Sequence, residues 1–427
     1  MKYIAIVAAS AILFLGSCSK KDVNKEEERK KDPNALKYDS LDWKADFKPM
    51  KSSPEEINGY KTRLAAFYKD FWVDGKVSGG FLVAKNGEII FEGYQGMADE
   101  RNKRSITAET PIHIASISKV FTSMAILKLV EKHKIKLDQK VNTILEGFPY
   151  EDVTVRHLLS HRSGLPNYAN VLWNNKKVMM EREKPISNQD VLDIFREFDV
   201  KQIRPADKGF YYSNTNFAFL ALVIEKIMKM DYPKAMKYMV FDPLEMKNTF
   251  VFEYDRDKDS VARSYKYNGY EWAWDDFDRT YGDKNIYSTP RDLFKLDVAM
   301  YSDDFLPKKL KKEAFQGYSY EQKGFKNYGL GMRLLEYDNG NKLLYHNGWW
   351  HGNNTVFVHD VKNQFTVIAL GNKQNKNIYS AFRLAGLTGA YPLKVPSKDS
   401  LRLHQQQIKQ KNPTNVVAKV KIKASVI

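Results

Sequence analysis

Ser116 and Lys119 stand three residues apart in Ser116-Ile-Ser-Lys119, where a predicted helix begins. That spacing puts both side chains on one helical face, so the amine can approach the hydroxyl. A serine at a helix N-terminus gains from backbone N–H groups and from the helix dipole, both useful to a developing anion. A desolvated lysine beside it can lose its proton near neutrality and share in proton transfer. The pair alone is weak evidence. Ser17 and Lys20 repeat the spacing near the N-terminus with no catalytic meaning, and a helix-capping serine is the plainer reading.

Two more groups carry similar chemistry. Tyr212-Ser-Asn214 follows the loop signals Arg204-Pro205 and Gly209 and precedes a helix at Ala218. A tyrosine beside a buried cation can be acidified into a general base, and Asn214 could bind a substrate amide. The alternative is a loop tyrosine with Asn214 capping the next helix. His346-Asn347-Gly348, followed by Trp349-Trp350, ends a predicted strand. Gly348 would let a substrate backbone approach the sheet edge, and the next N–H could be an oxyanion donor. His346 could donate a hydrogen bond to substrate or support the tyrosine's charge; otherwise it is a surface histidine at a sheet-end turn.

The elements that must position these groups are readable from periodicity. Ser53 caps a predicted helix to Asp70, with Pro54 and Glu55-Glu56 in its first turn. Phe81–Lys85 and Glu88–Glu92 flank Asn86-Gly87, a strong hairpin signal. Helical patterns follow at 119–131, 153–159, 188–198, 218–230 and 290–300. Strand patterns return at 342–346, 355–359 and 364–370, and a helix at 378–387 could cover one face. The expected fold is α+β: one antiparallel sheet flanked by helices, with a large, mostly helical insertion and a cleft at the junction.

With 427 residues, 43% hydrophobic and 13% aromatic, the chain can bury a core and is not disordered overall. A single cysteine excludes a disulfide framework and any multi-cysteine zinc site. Met1-Lys2 and the apolar run Tyr3–Leu15 have the form of a secretion signal, too short to span a bilayer comfortably. Leu15-Gly-Ser-Cys18 resembles a bacterial lipobox, which makes Cys18 the expected lipid attachment and the membrane a partner through that lipid. The expected divisions are a signal peptide at 1–17, a solvated tether at 18–50, a catalytic domain at 51–391 and a basic tail at 392–427. Within the domain, 51–114 and 321–391 would form the sheet part and 115–320 the helical part. Net charge is +16, but residues 394–427 hold eight bases against one acid, so the basicity is concentrated outside the core. It points to an anionic envelope and not to nucleic acid.

Taken together and in this order, Ser-x-x-Lys, Tyr-x-Asn and His-x-Gly resemble the signature motifs of serine β-lactamases and penicillin-binding proteins. The nearest branch is the class C β-lactamase and D-aminopeptidase/esterase group. Val155-Arg-His-Leu-Leu-Ser-His-Arg-Ser-Gly-Leu-Pro166 and Gly282-Asp-Lys-Asn-Ile-Tyr-Ser-Thr-Pro-Arg-Asp-Leu293 are further phrases of that family. The resemblance runs from about Ser53 to Tyr391. It implies acyl transfer in which Ser116 is the acylated nucleophile, Lys119 shares its proton and Tyr212 is base and then acid. It further implies that Asn214 orients the substrate amide and that the N–H groups of Ser116 and Trp349 form the oxyanion hole. No cofactor or metal is implied. His346-Asn347-Gly348 departs from the Lys-Thr-Gly usual in such β-lactamases and is similar to the aminopeptidase and esterase members. A histidine is a weaker, pH-dependent cation. The expectation is an envelope-anchored, periplasmic or surface-exposed serine hydrolase acting on a peptide, ester or β-lactam type acyl donor. A D-amino-acid peptide or ester fits better than a dedicated β-lactamase role.

A sensor of cell-wall peptides on the same scaffold is the competing class, though a pure binder need not keep both Lys119 and Tyr212. His157 and His161 are four apart but lack the glutamate of His-Glu-x-x-His, so hydrogen bonding near the cleft is expected of them, not zinc. No Gly-x-Ser-x-Gly and no phosphate-cradling glycine loop occurs.

Overall fold

The computed structural model of the chain describes residues 43, 44, 46–174 and 185–396. Cys18, the expected signal segment and the tail beyond 396 lie outside the described residues, as do residues 175–184, which follow a short helix at Tyr168–Asn174.

Helix α1 (Pro54–Phe67) opens at Ser53, whose hydroxyl accepts the Glu56 N–H, and it feeds a hairpin of β1 (Gly79–Lys85) and β2 (Glu88–Gln95). Two short pieces follow, β3 (Met97–Asp99) paired with β4 (Arg104–Ser105), and then β5 (Ile112–His113). The central region carries α2 (Ser118–Glu131), α3 (Val155–Leu159), α4 (Asn188–Glu197), α5 (Asn214–Met228) and α6 (Pro290–Ala299). Side-chain caps begin three of them: Thr154 before α3, Ser187 before α4 and Thr289 before α6. Within this region β6 (Phe250–Val251) and β7 (Ile286–Ser288) join β5 in a small antiparallel sheet that periodicity did not reveal.

The chain then returns through β8 (Lys326–Tyr328), β9 (Arg333–Glu336), β10 (Lys342–Trp350), β11 (Asn353–Asp360) and β12 (Phe365–Gly371). The main sheet has seven strands in the order β2-β1-β12-β11-β10-β9-β8, so the C-terminal meander closes on the N-terminal hairpin as expected. All its pairings are antiparallel.

β1, β11 and β12 are buried along their whole length because both faces are covered. Phe81, Val83, Val356, Val358, Phe365 and Val367 pack with α1 and the 3₁₀ stretch Lys376–Thr388, which replaces the α-helix expected there. The alternate residues face α6, where Asp297 accepts from the Thr366 hydroxyl at 2.5 Å and contacts His359 Nδ1 at 2.6 Å. Each fully buried phenylalanine on these strands stabilises the sheet by about 2–3 kcal/mol.

One boundary is corrected. The polyampholyte tether was expected to reach residue 50, yet the chain is already part of the body at Trp43, which is 7% exposed. Phe47 packs on Tyr301 and occupies the space a side chain at Gly87 would need, and Met50 N–H donates to Gln364. Two aromatic side chains outweigh the polar average of their segment.

Candidate active site

Ser116 lies in a single 3₁₀ turn, Ala115–Ile117, that runs into α2. Lys119, on the first turn of α2, is fully buried. Its Nζ donates to Ser116 Oγ at 3.2 Å and to the Asp283 carbonyl at 2.8 Å, and it stands 5.1 Å from the Tyr212 ring centroid. No carboxylate pairs with this amine among the described residues. The phrase around Gly282 therefore has a definite job: it presents a carbonyl to Lys119. The bare Gly282 Cα makes it possible, since a Cβ there would lie 2.2 Å from the Phe217 carbonyl oxygen of α5.

The other phrase, 155–166, anchors the loop that carries Tyr212. His157 and His161 do not act together. His157 caps α3 reciprocally with Thr154. His161, fully buried and at φ +57, accepts the Ser213 N–H at Nδ1 and also contacts the Asn216 amide at 2.9 Å. Its ring lies 4.2 Å from that of Tyr212. Burial, helped by the nearby charges of Lys119 and Arg333, holds His161 neutral by pushing its pKa well below 6.5. Ser213 is the backbone cap of α5, and Asn214, on its first turn, has a buried Oδ1 with no partner in the protein. That atom is an open acceptor for a substrate N–H.

β10 runs four residues beyond the strand expected from sequence, and this changes the reading of His346. Its side chain is fully buried, Nδ1 donates to the Asn347 carbonyl at 2.8 Å, and Nε2 accepts from Tyr328 OH at 3.2 Å. Burial, with Arg333 and Lys119 close by, drives its pKa well below 6.5. His346 is thus a neutral, saturated core residue, not a pH-dependent cation facing substrate. Asn347 Oδ1 is buried without a partner, like Asn214 Oδ1. Gly348 makes room for the nucleophile's own turn: a Cβ there would lie 2.8 Å from the Ile114 carbonyl and 2.9 Å from Ala115 Cβ. The strand consequently passes directly beside Ser116, and the N–H of Trp349, whose side chain is 59% exposed, follows next in the chain.

The edge of β10 is open there. β9 pairs with Lys342 to Tyr345 only. Before Arg333 the chain turns away to α2, with Gly331 at φ +92 against Ser123, whose hydroxyl donates to the Leu330 carbonyl at 2.5 Å. His346 to Trp350 therefore pair on one side alone, with β11.

Sequence reasoning missed Arg333. Its guanidinium sits 4.8 Å over the Tyr212 ring, and no carboxylate pairs with it among the described residues. It lines a pocket of about 330 Å³ with Arg204, Lys208, Lys326 and Tyr345, where the acid Glu321 is already paired with Arg162. Nothing in Arg333-Leu-Leu-Glu marks it; only the pairing of Arg333 with Tyr345 places it beside the tyrosine.

Among the described residues, Asp275, Asp278 and His351 form the group with metal-ligand side chains close together. Asp278 already accepts from the Trp350 indole and the Asp275 N–H, and Asp275 from the Phe277 N–H. With His351 stacked on Trp272, the group ties loop 271–278 to the β10–β11 turn.

A serine–lysine pair, a tyrosine held over it and an open strand edge beside the serine are the parts of an acyl-transfer site. The profile of the β-lactamase family matches residues 64–387. The chain belongs to the β-lactamase family. It is a serine hydrolase related to the penicillin-binding proteins, with a mixed α+β fold of the β-lactamase/transpeptidase kind. Penicillin-binding protein 4* of Bacillus subtilis is 31% identical over 334 residues, covering 75% of this chain and 73% of that protein. The octameric penicillin-binding protein homologue from Pyrococcus abyssi superposes with a TM-score of 0.68 at 25% identity, over 82% of this chain and 81% of that one. The D-amino acid amidase from Ochrobactrum anthropi shares the fold, with a TM-score of 0.61 at 23% identity over 77% of this chain and 99% of that one. Among the described residues no helix is long and apolar enough to cross a membrane.

Proposed function

We propose that this enzyme hydrolyses amides or esters of D-amino acids bearing an anionic group, and that it works at the cell envelope, anchored through Cys18. The observation that carries the substrate reading is Arg333. It is a half-buried guanidinium without an acid partner, beside Tyr212, in a pocket whose other charged side chains are mostly basic. An exposed guanidinium needs no partner, but a half-buried one offers its donors to a carboxylate. The absence of a cation at position 346 removes the lysine that serves penicillinases and supports a peptide or ester donor over a β-lactam.

In the reaction, Ser116 Oγ forms a bond to the acyl carbon while its proton passes to the Lys119–Tyr212 pair. The carbonyl oxygen takes the negative charge and is held by the N–H groups of Ser116 and Trp349. Asn214 and Asn347 accept or donate to the substrate amide. Collapse breaks the bond to the leaving amine or alcohol, which takes its proton from Tyr212. Water then attacks the acyl-enzyme with the same groups acting in reverse, which releases the acid and restores Ser116. Envelope anchoring rests on the export signal and on Cys18 at its end.

The test is a fluorophosphonate label followed by intact mass, then a panel of D-aminoacyl anilides, short esters and muropeptides with free or blocked carboxylates. One adduct in wild type and none in Ser116→Ala is expected, with faster turnover of the free carboxylates. An equal adduct in Ser116→Ala defeats the catalytic reading, and efficient cephalosporin turnover defeats the substrate reading.

A further inference from the structure

The turn that carries the nucleophile is held in an unusual shape. Ala115 has φ +50, a left-handed conformation uncommon for a residue with a Cβ. On one side Gly348 and the Thr355 hydroxyl, which donates to the Ile114 carbonyl at 3.0 Å, press against the turn. On the other side stands His113. Its Nδ1 accepts the Ala115 N–H at 3.0 Å, and its Nε2 lies 3.0 Å from Asn285 Oδ1.

The tautomer follows from the neighbours. Asn285 spends both amide hydrogens on the carbonyls of Phe277 and Thr280, so its Oδ1 is an acceptor. His113 Nε2 must then carry the hydrogen, which leaves Nδ1 as a lone pair for Ala115. The ring is 3% exposed and packs edge-on against Tyr287, and β5 and β7 fix its backbone. Burial holds its pKa down to about 4, which keeps that lone pair free at neutral pH. Asn285 itself is at φ +69, two residues after the Asp283 carbonyl that receives Lys119.

We propose that His113, oriented by Asn285, is a positioning residue for acylation. It stabilises the left-handed Ala115 and so sets Ser116 Oγ against Lys119 Nζ, with the Ser116 N–H turned toward the oxyanion. One short segment, 283–285, thereby places both members of the serine–lysine pair. The inference rests on the serine-hydrolase reading of Ser116, and the test separates the two.

In His113→Asn the side-chain oxygen stands where Nδ1 stood and still accepts from Ala115. In His113→Gln the amide reaches toward Asn285 and the acceptor for Ala115 is gone. Acylation by a fluorophosphonate is expected to slow at least tenfold in His113→Gln and to stay within about threefold of wild type in His113→Asn, with KM for a good ester unchanged in both. Equal slowing in the two variants, or none in His113→Gln, overturns the proposal. An unlabelled wild type defeats the catalytic reading and this one with it. Where His113→Gln does not fold, nitrogen-15 NMR of wild type decides: an Nε2–H tautomer at neutral pH is expected, and an Nδ1–H tautomer or an imidazolium overturns the assignment.

Discussion

The His161 ring lies against the Tyr212 ring, centroids 4.2 Å apart and planes 37° from parallel, while its Nδ1 accepts the N–H of Ser213, the very next residue. One buried imidazole thus fixes both the face of the tyrosine and the backbone that bears it. His161→Phe would keep the stacking and delete the acceptor. A buried N–H left unsatisfied costs about 1–3 kcal/mol, so urea midpoints should fall accordingly. Acylation should slow with it, because Tyr212 loses its anchor while Ser116 and Lys119 keep theirs. A variant as stable and as reactive as wild type would make the contact incidental.

Arg333 should act on binding more than on chemistry. For Arg333→Gln the expected result is a KM higher by roughly tenfold to a hundredfold for carboxylate-bearing donors, since a charge-assisted hydrogen bond contributes about 1.5–3 kcal/mol. Neutral esters of the same acyl group should be hydrolysed nearly as before. Equal losses on both substrate types would assign the arginine to Tyr212 alone.

Three buried histidines give the fold an acid-sensitive side. His113, held down to about 4, and His161 and His346, held well below 6.5, are neutral when folded. Unfolded, each titrates near 6.5, so below that pH the unfolded chain binds the extra protons. Stability contributed by these groups is intact above about pH 7. It falls as pH drops, by up to ~1.4 kcal/mol per pH unit for each histidine. Urea unfolding between pH 7.5 and 5 should show this decline, and His346→Gln should make it shallower by about one histidine's share. An unchanged slope would mean that His346 titrates normally in the fold.

The body begins earlier than its polar leader implies. A chain starting at Trp43 should be as stable as one starting further upstream, whereas a start at residue 51 removes Trp43 and Phe47 and should cost about 2–4 kcal/mol. Differential scanning calorimetry of the two would decide, and coincident melting temperatures would return those residues to the tether.

What sequence could reveal here depended on neighbours along the chain. Ser116 with Lys119, and Tyr212 with Asn214, are close in sequence, so their spacing carries the geometry. His346 was misjudged because exposure depends on where β10 ends. The strand continues to Trp350, and a histidine expected at a sheet end lies inside it. Arg333 and His113 were invisible for another reason. Each matters through a partner that pairing brings close, Arg333 to Tyr212 and His113 to Asn285, 172 positions away. Helix α1 behind its Ser53 cap and the hairpin at Asn86-Gly87 were legible because caps and tight turns are local chemistry.

The early departure of the chain before Arg333 has a consequence for how this enzyme can change. A strand left half-paired is an unfinished ladder, ready for any extended backbone that fits beside Ser116. Such an edge would ordinarily risk sheet-to-sheet association. Here the open stretch is short, His346 to Trp350, with Trp349 exposed on it and Arg333 opening the strand that covers the rest. Its length is set by the turn at residues 329–332, not by any group that handles the proton. Lengthening or trimming that turn would alter which acyl donors are admitted, and because Gly331 and Leu330 pack on Ser123 of α2, the helix that carries Lys119, the change would also reach the serine–lysine pair. Selectivity and chemistry therefore meet at one turn, between the Lys119 helix on one side and Arg333 on the other.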